Sequence, residues 1–171
     1  MTLLDAPKFD EARARRNKKI AIGGVVAVLL LFVIGWLVAG RPIDWPWRWN
    51  AHLMGRMAVN RFFTDLEKND LPDAYAVWVH DKNWQQHPTA HYYTFDRFQL
   101  DWAPDGRQND FGAIHSHRIA ASRIHGNVLM LGVFLNDRKS GAINLDYDPT
   151  DHTLNFSPDN VQFLEGPGGI K

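Results

Sequence analysis

Three histidines, His80, His87 and His91, fall inside one short stretch, VWVHDKNWQQHPTAHYYTFDRF, residues 77–98. Imidazole changes charge near neutral pH and is the commonest metal ligand, so its spacing is the first thing to read. His87 and His91 are four apart, which on a helix puts both rings on one face. His115 and His117 are two apart, which on a strand does the same. Neither pair comes with a carboxylate-bearing motif of the H-E-x-x-H kind, and Pro88 leaves His87 at the N-terminal edge of any helix beginning there. These are expected to be surface or interfacial histidines, with no bound metal and no cofactor. The segment Asp137-Arg138-Lys139-Ser140-Gly141 reads as a solvated hairpin, since it lacks the glycine loop and helix N-terminus that hold phosphate.

The same stretch is dense in rings. Trp78, Trp84, Tyr92, Tyr93, Phe95, Phe98 and Trp102 lie within 25 residues. Two readings stand side by side. The rings form core, with the Trp N–H and Tyr O–H groups partnered, or they line a ligand pocket or partner surface, which is apolar with a few polar groups. On the second reading the pocket comprises these seven together with His115 and His117.

The elements that must position these residues come in a definite order. In NAHLMGRMAVNRFFTDLEKND, Leu53, Met54, Met57, Phe62, Phe63 and Leu66 recur every three to four residues, which predicts an amphipathic helix burying that stripe. NDLPDAYAVW restarts a helix, with Asn69 or Asp70 as cap, Pro72 in the first turn, and Ala74, Val77 and Trp78 on one side. HYYTFDRFQLDW predicts a third, ending at the APDGRQND turn cluster. Beyond Phe111 the pattern turns to strands. GAIHSHRIAASRI and NVLMLGVFLN are separated by His125-Gly126-Asn127, a hairpin signal. GAINLDYD sets Ile143, Leu145 and Tyr147 on one face, and HTLNF alternates Leu154 with Phe156. Helices followed by an antiparallel meander is α+β ordering, and residues 50–165 are enough for one domain before a flexible tail at 166–171.

Ahead of this domain, Ile20 to Gly40 (IAIGGVVAVLLLFVIGWLVAG) contains no charge. Its 21 residues reach about 30 Å as a helix, the hydrocarbon thickness of a bilayer. A cleaved signal peptide has a shorter apolar core and small residues at its cleavage site; Val38 and Arg41-Pro42 make a poor one here. The reading is an uncleaved, single-pass anchor contacting lipid through residues 20–40. Residues 1–19 hold six basic groups against three acids, which places this tail in the cytoplasm by the positive-inside rule. Residues 41–49 form a Pro/Trp-rich stem whose Trp45, Trp47 and Trp49 suit the membrane interface. The remaining residues carry 13 basic and 16 acidic groups, a balance that argues against nucleic acid. Cysteine is absent, which excludes disulfides, thiolate metal sites and a cysteine nucleophile.

The succession NRFFTDLEKNDLPDAYAVW resembles the opening of NTF2-like (SnoaL-like) domains, through Phe62, Phe63, Leu66, Asp70, Ala74 and Tyr75. The layout is also similar to membrane-anchored bacterial proteins, some of them from Acidobacteria. The resemblance implies a cone of about three helices on a curved antiparallel sheet of about four strands. It implies either a binding or assembly module or an enzyme with an Asp/His or Asp/Tyr pair inside the cone. For the latter, Asp96, Asp101, His115, His117 and Tyr93 are the candidates. With no catalytic motif in the chain, the expected role is non-catalytic. That is a domain outside the cytoplasmic membrane of a bacterium, periplasmic or extracellular, serving as an accessory subunit of a membrane complex, as a ligand binder, or as a homodimer paired through the sheet. The alternative is an isomerase- or hydrolase-like enzyme.

Overall fold

The computed structural model describes residues 11–136, 142–158 and 160. The chain divides into two compact units, one ending at Val38 and the other beginning at Ala39. The first is a single helix, α1 (Glu11–Val38), with a mean hydropathy of 2.8 over its apolar window and none of that window buried. It is long and apolar enough to cross a membrane. The helix starts earlier than the apolar run, taking in the basic residues from Arg13 to Lys19, and a Glu11–Arg15 pair at 3.1 Å spans its first turn.

The second unit opens on a stem that is folded rather than extended. Ala39 and Pro42 are buried, and Gly40 takes a left-handed backbone (φ 87°). A side chain at Gly40 would displace the Arg56 guanidinium, which now stands 2.8–2.9 Å from where its Cβ would be, and it is the left-handed backbone that favours glycine there. A 3₁₀ turn at Pro46–Arg48 leads into α2 (Trp49–Glu67). α3 (Leu71–Trp78) follows, capped by the Asp70 carboxylate accepting from the Asp73 N–H. After an irregular passage over residues 79–94, α4 (Phe95–Trp102) starts from Thr94, whose hydroxyl accepts from the Arg97 N–H. His91 to Tyr93, expected to open this helix, lie before its cap. The segment from Gly112 to Ser116 likewise precedes the first strand.

The sheet is an antiparallel meander in the order β1-β2-β3-β4: His117–His125, Val128–Leu135, Ile143–Tyr147 and Leu154–Phe156. The β1–β2 turn falls on Gly126 (φ 62°) and Asn127, where the hairpin signal placed it. Strict alternation in β2 and β3 buries Leu129, Leu131, Val133, Leu135, Ile143, Leu145 and Tyr147 on the helix side. A bulge at Ile119/Ala121 shifts the phase of β1, so its inward set is His117, Ile119, then Ser122 and Ile124. The outward face is mixed: Arg118 sits over the Phe134 ring at 4.8 Å, and Met130 pairs across to Asp146. The Asp137–Gly141 hairpin and the tail after residue 165 lie outside the described residues.

One helix-face expectation is overturned. The buried positions of α2 are His52, Gly55, Val59, Phe62, Phe63 and Leu66. Met54 is 39% exposed and Met57 58%. In the first half of the helix the stripe is rotated away from the methionines because the sheet approaches at Gly55. A Cβ there would meet Leu129 Cδ2 at 2.6 Å and Tyr147 Cδ1 at 3.0 Å. Only glycine lets the helix lie that close, and periodicity counts glycine as nothing.

Candidate functional site

Between the helices and the sheet, aromatic rings pack against one another. Phe62 meets Trp102 edge-on at 5.0 Å, Phe63 at 4.9 Å and Phe98 at 6.1 Å, with Trp78 tilted at 5.2 Å. Trp102 stacks on Phe156 at 5.4 Å with the planes 4° apart. Trp84 and Phe95 close the cluster at one end against Tyr75, whose hydroxyl donates to the Tyr93 carbonyl at 2.7 Å. Trp78, Trp84, Phe98 and Trp102 are buried core, and Tyr93 and Phe95 pack on them partly buried. Edge-to-face and offset stacks of this kind are the low-energy ways for rings to fill a core. Tyr93 donates to Asp101 at 2.7 Å, and burial, then that carboxylate, pushes its ionisation far above the ordinary tyrosine range. Tyr92 points the other way and is 106% exposed, so it takes no part in the cluster.

His115 and His117 separate as well. His115 is exposed in the approach to β1, its backbone N–H donating to Asn136. His117 turns inward, with Nδ1 2.7 Å from Glu67, Nε2 2.9 Å from Asn60, and its ring stacked on Phe63. Of the proposed acid–base candidates, Asp101 is engaged by Tyr93 and Arg97 on one helix side. Asp96 stands in the first turn of α4. The five candidates are spread over α4, the chain before it and the start of β1.

Open space lies on the side of α2 that the methionines face. A groove of about 450 Å³ is walled by Met54, Met57 and Ala58 of α2 and by Ala76 and Val77 of α3. Its exposed polar side chains are cationic or imidazole in character, Arg61, Lys82 and His80, and His152 and Tyr147 complete the lining. Lys82 has no ion pair among the described residues, and the nearest carboxylate to Arg61 is Asp65 at 3.7 Å. His80 and His152 both hold left-handed backbone (φ 52° and 63°), and their rings stand 5.1 Å apart. His152 Nδ1 is hydrogen-bonded to the Tyr147 hydroxyl. Histidine is among the non-glycine types that adopt this region most readily, and Arg41, Asn69 and Asn136 share it elsewhere in the domain. The apolar floor and positive rim suit an apolar chain ending in an anion.

Two further clusters combine carboxylate with imidazole. Asp44 of the stem lies 2.7 Å from Nε2 of His52, and Ser122 of β1 lies 2.8 Å from its Nδ1. The sequence order hides this trio, which joins positions 70 residues apart. It has the residue types of a nucleophile, base and acid, but His52 is 0% exposed. Its evident work is mechanical: it pins the stem to α2 and to the sheet, and satisfies a buried imidazole on both nitrogens. The other cluster lies in the loop after α3. There Asp81 Oδ2 faces Nε2 of His87 at 2.6 Å and Nε2 of His91 at 3.1 Å. A hydrogen bond from the Asn83 N–H, first, and those from the two histidines hold the Asp81 carboxyl below the usual carboxylate range. These three residues could hold a metal ion; the pair His87–His91 was visible in sequence, its carboxylate was not.

At the stem, Trp45 and Trp47 are exposed and stacked at 5.1 Å, with Ile43 exposed beside them in sequence. Trp49 is half-buried and its indole N–H donates to the Asp44 carbonyl at 2.9 Å. No family model, no curated protein and no solved structure matches the chain.

Proposed function

We propose that this chain is a single-pass protein of a bacterial cytoplasmic membrane, with its basic tail inside and an NTF2-like domain outside. The domain's role is to bind, not to catalyse. Its ligand is an apolar chain with an anionic head, seated in the groove between α2 and α3. The observation that carries this reading is the groove itself, where methionine and alanine form a floor beneath Arg61 and Lys82. Methionine is unbranched and polarisable, which suits a surface that must adapt to an acyl-type chain. Lys82, with no ion pair among the described residues, leaves a charge for the ligand to meet.

The other elements support the setting. A charge-free 21-residue run preceded by a basic cluster favours an anchor with its N-terminus in the cytoplasm. Exposed, stacked Trp45 and Trp47 fit the headgroup zone. Three helices followed by a four-strand meander support the NTF2-like assignment. Burial of His52 removes it from any substrate, which disfavours the enzyme reading for the Asp44–His52–Ser122 trio.

Octanoate titrated by calorimetry into the full chain in lipid nanodiscs tests the proposal, with octanol and empty discs as references. Saturable octanoate binding that exceeds octanol and falls about two- to fivefold in Lys82→Ala is the expected result, since a charge contact at an exposed lysine contributes up to about 1 kcal/mol. Equal binding of acid and alcohol would refute it. Because the chain lacks cysteine, Tyr92→Cys gives a single thiol for a membrane-impermeant maleimide, and labelling of intact cells from outside checks the orientation.

A further inference from the structure

The loop between α3 and α4 runs from Val79 to Thr94 with a single three-residue 3₁₀ turn, Trp84–Gln86, as regular structure. Loops of this length inside a small domain are uncommon and tend to carry a function. What this one does with its backbone is converge three side chains. His80, in left-handed conformation, turns the chain immediately after α3, and the Asp81 N–H closes back on the Ala76 carbonyl at 3.0 Å. Asp81 Oδ1 then accepts from the Asn83 N–H at 2.8 Å, so the carboxylate is fixed with Oδ2 directed away from its own turn. A second reversal, Ala90 N–H to the His87 carbonyl at 3.0 Å, brings His91 back alongside His87. Their rings stand 6.2 Å apart, and the His91 ring lies edge-on to buried Tyr75 at 6.5 Å.

We propose that Asp81, His87 and His91 form a binding site for a divalent transition-metal ion of the zinc class. Both Nε2 atoms already address the same carboxylate oxygen, and the three donor atoms lie within 4.8 Å of one another. Ligand bonds near 2.0–2.1 Å in a tetrahedral arrangement place donors about 3.3 Å apart, so each donor has to shift by an ångström or so at most. Two imidazoles and one carboxylate select zinc, cobalt, nickel or copper over calcium and magnesium, which take oxygen donors. Ligation through Nε2 requires each imidazole to carry its one proton on Nδ1, so metal binding is coupled to the release of any second ring proton. His87 is half exposed at its side chain (49%), while Asp81 and His91 are more sheltered at 20% and 26%. One side of the ion therefore faces solvent, and its fourth position is open to water or to an anionic group.

The site is separate from the groove but joined to it by the chain. His80 and Lys82, the neighbours of Asp81, are both on the groove rim. Alternate residues thus face two sites, and an ion on Asp81 fixes the backbone that carries Lys82.

The test is zinc titration of the untagged full chain in nanodiscs after stripping with chelator, followed by cobalt substitution. One zinc per chain is expected, with a cobalt visible spectrum of four- or five-coordinate nitrogen–oxygen type. His87→Ala should weaken binding at least about a hundredfold, as loss of a direct ligand exceeds the 10–100-fold cost of losing an outer-shell partner. His115→Ala and His125→Ala should leave it unchanged. His87 is the residue of choice because its exposed ring keeps the variant folded, and an unchanged thermal transition in chelator verifies that. Absence of stoichiometric zinc in the wild-type chain overturns the proposal. So does equal loss in the His115 or His125 variants.

Discussion

Helix α2 has two apolar surfaces that meet different fates. Its inner one, Val59, Phe62, Phe63 and Leu66, is fully sealed against rings from α3 and α4 and the branched side chains of the sheet. Its outer one, Met54, Met57 and Ala58, is left facing a groove. The difference is chemical as well as geometric. Stiff rings interlock edge-to-face and leave no room, whereas flexible thioethers tolerate a changing neighbour. In this domain packing belongs to the aromatics, and the recognition proposed here falls to the surface that looks ordinary in the sequence.

The comparison can be broken most forcefully from the inside. Phe62→Ala removes a ring that touches four others and should cost about 3–5 kcal/mol, read as a lowered urea midpoint of the full chain. A loss under about 1 kcal/mol would mean that the interior is loosely filled. His52→Ala comes next. It removes a fully buried ring and strips the partly exposed Asp44 and Ser122 of their common partner, a loss of about 1–3 kcal/mol. Proteolysis of the stem should rise in that variant before the domain itself unfolds.

A pH experiment sharpens the loop's part. The Asp81 carboxyl is held low in the folded chain, so its contribution is present above the unfolded value near 3.9 and disappears as pH falls through the lower folded value. The acid limb of the stability curve should therefore flatten in Asp81→Asn, measured in chelator so that metal plays no part. Met57→Ser sits at the small end for stability, within about 0.5 kcal/mol, because the side chain is already mostly in water. Its effect should appear in octanoate affinity alone. A stability loss comparable to Phe62→Ala would erase the distinction between the two surfaces.

Most of the fold was legible because its signals are local. The Asp70 cap with Pro72 behind it, the Gly126-Asn127 turn, and the Ile143/Leu145/Tyr147 alternation each express a rule spanning a few residues. The sites were less legible, for three physical reasons. A buried histidine and a glycine occupy the inner face of early α2, so the apolar stripe points to the wrong side. Tyr92 and Tyr93 are the same residue type, and only the cap at Thr94 decides that one is in solvent and the other over Trp78. The carboxylate that meets His87 and His91 sits six and ten positions away across an irregular loop, where no periodicity applies.

The central claim is that ligand is held by the methionine surface of α2 and not within the ring cluster. The chain has four methionines, Met1, Met54, Met57 and Met130, so its ¹³C-methyl spectrum is simple enough to assign by substitution. Titrating octanoate into the full chain in nanodiscs should shift Met54 and Met57 together, saturably, while Met130 on the far face of the sheet stays still. Nuclear Overhauser contacts from the octanoate chain should reach those two methyls. Contacts to the Phe62 or Trp102 rings, with Met54 and Met57 unmoved, would contradict it.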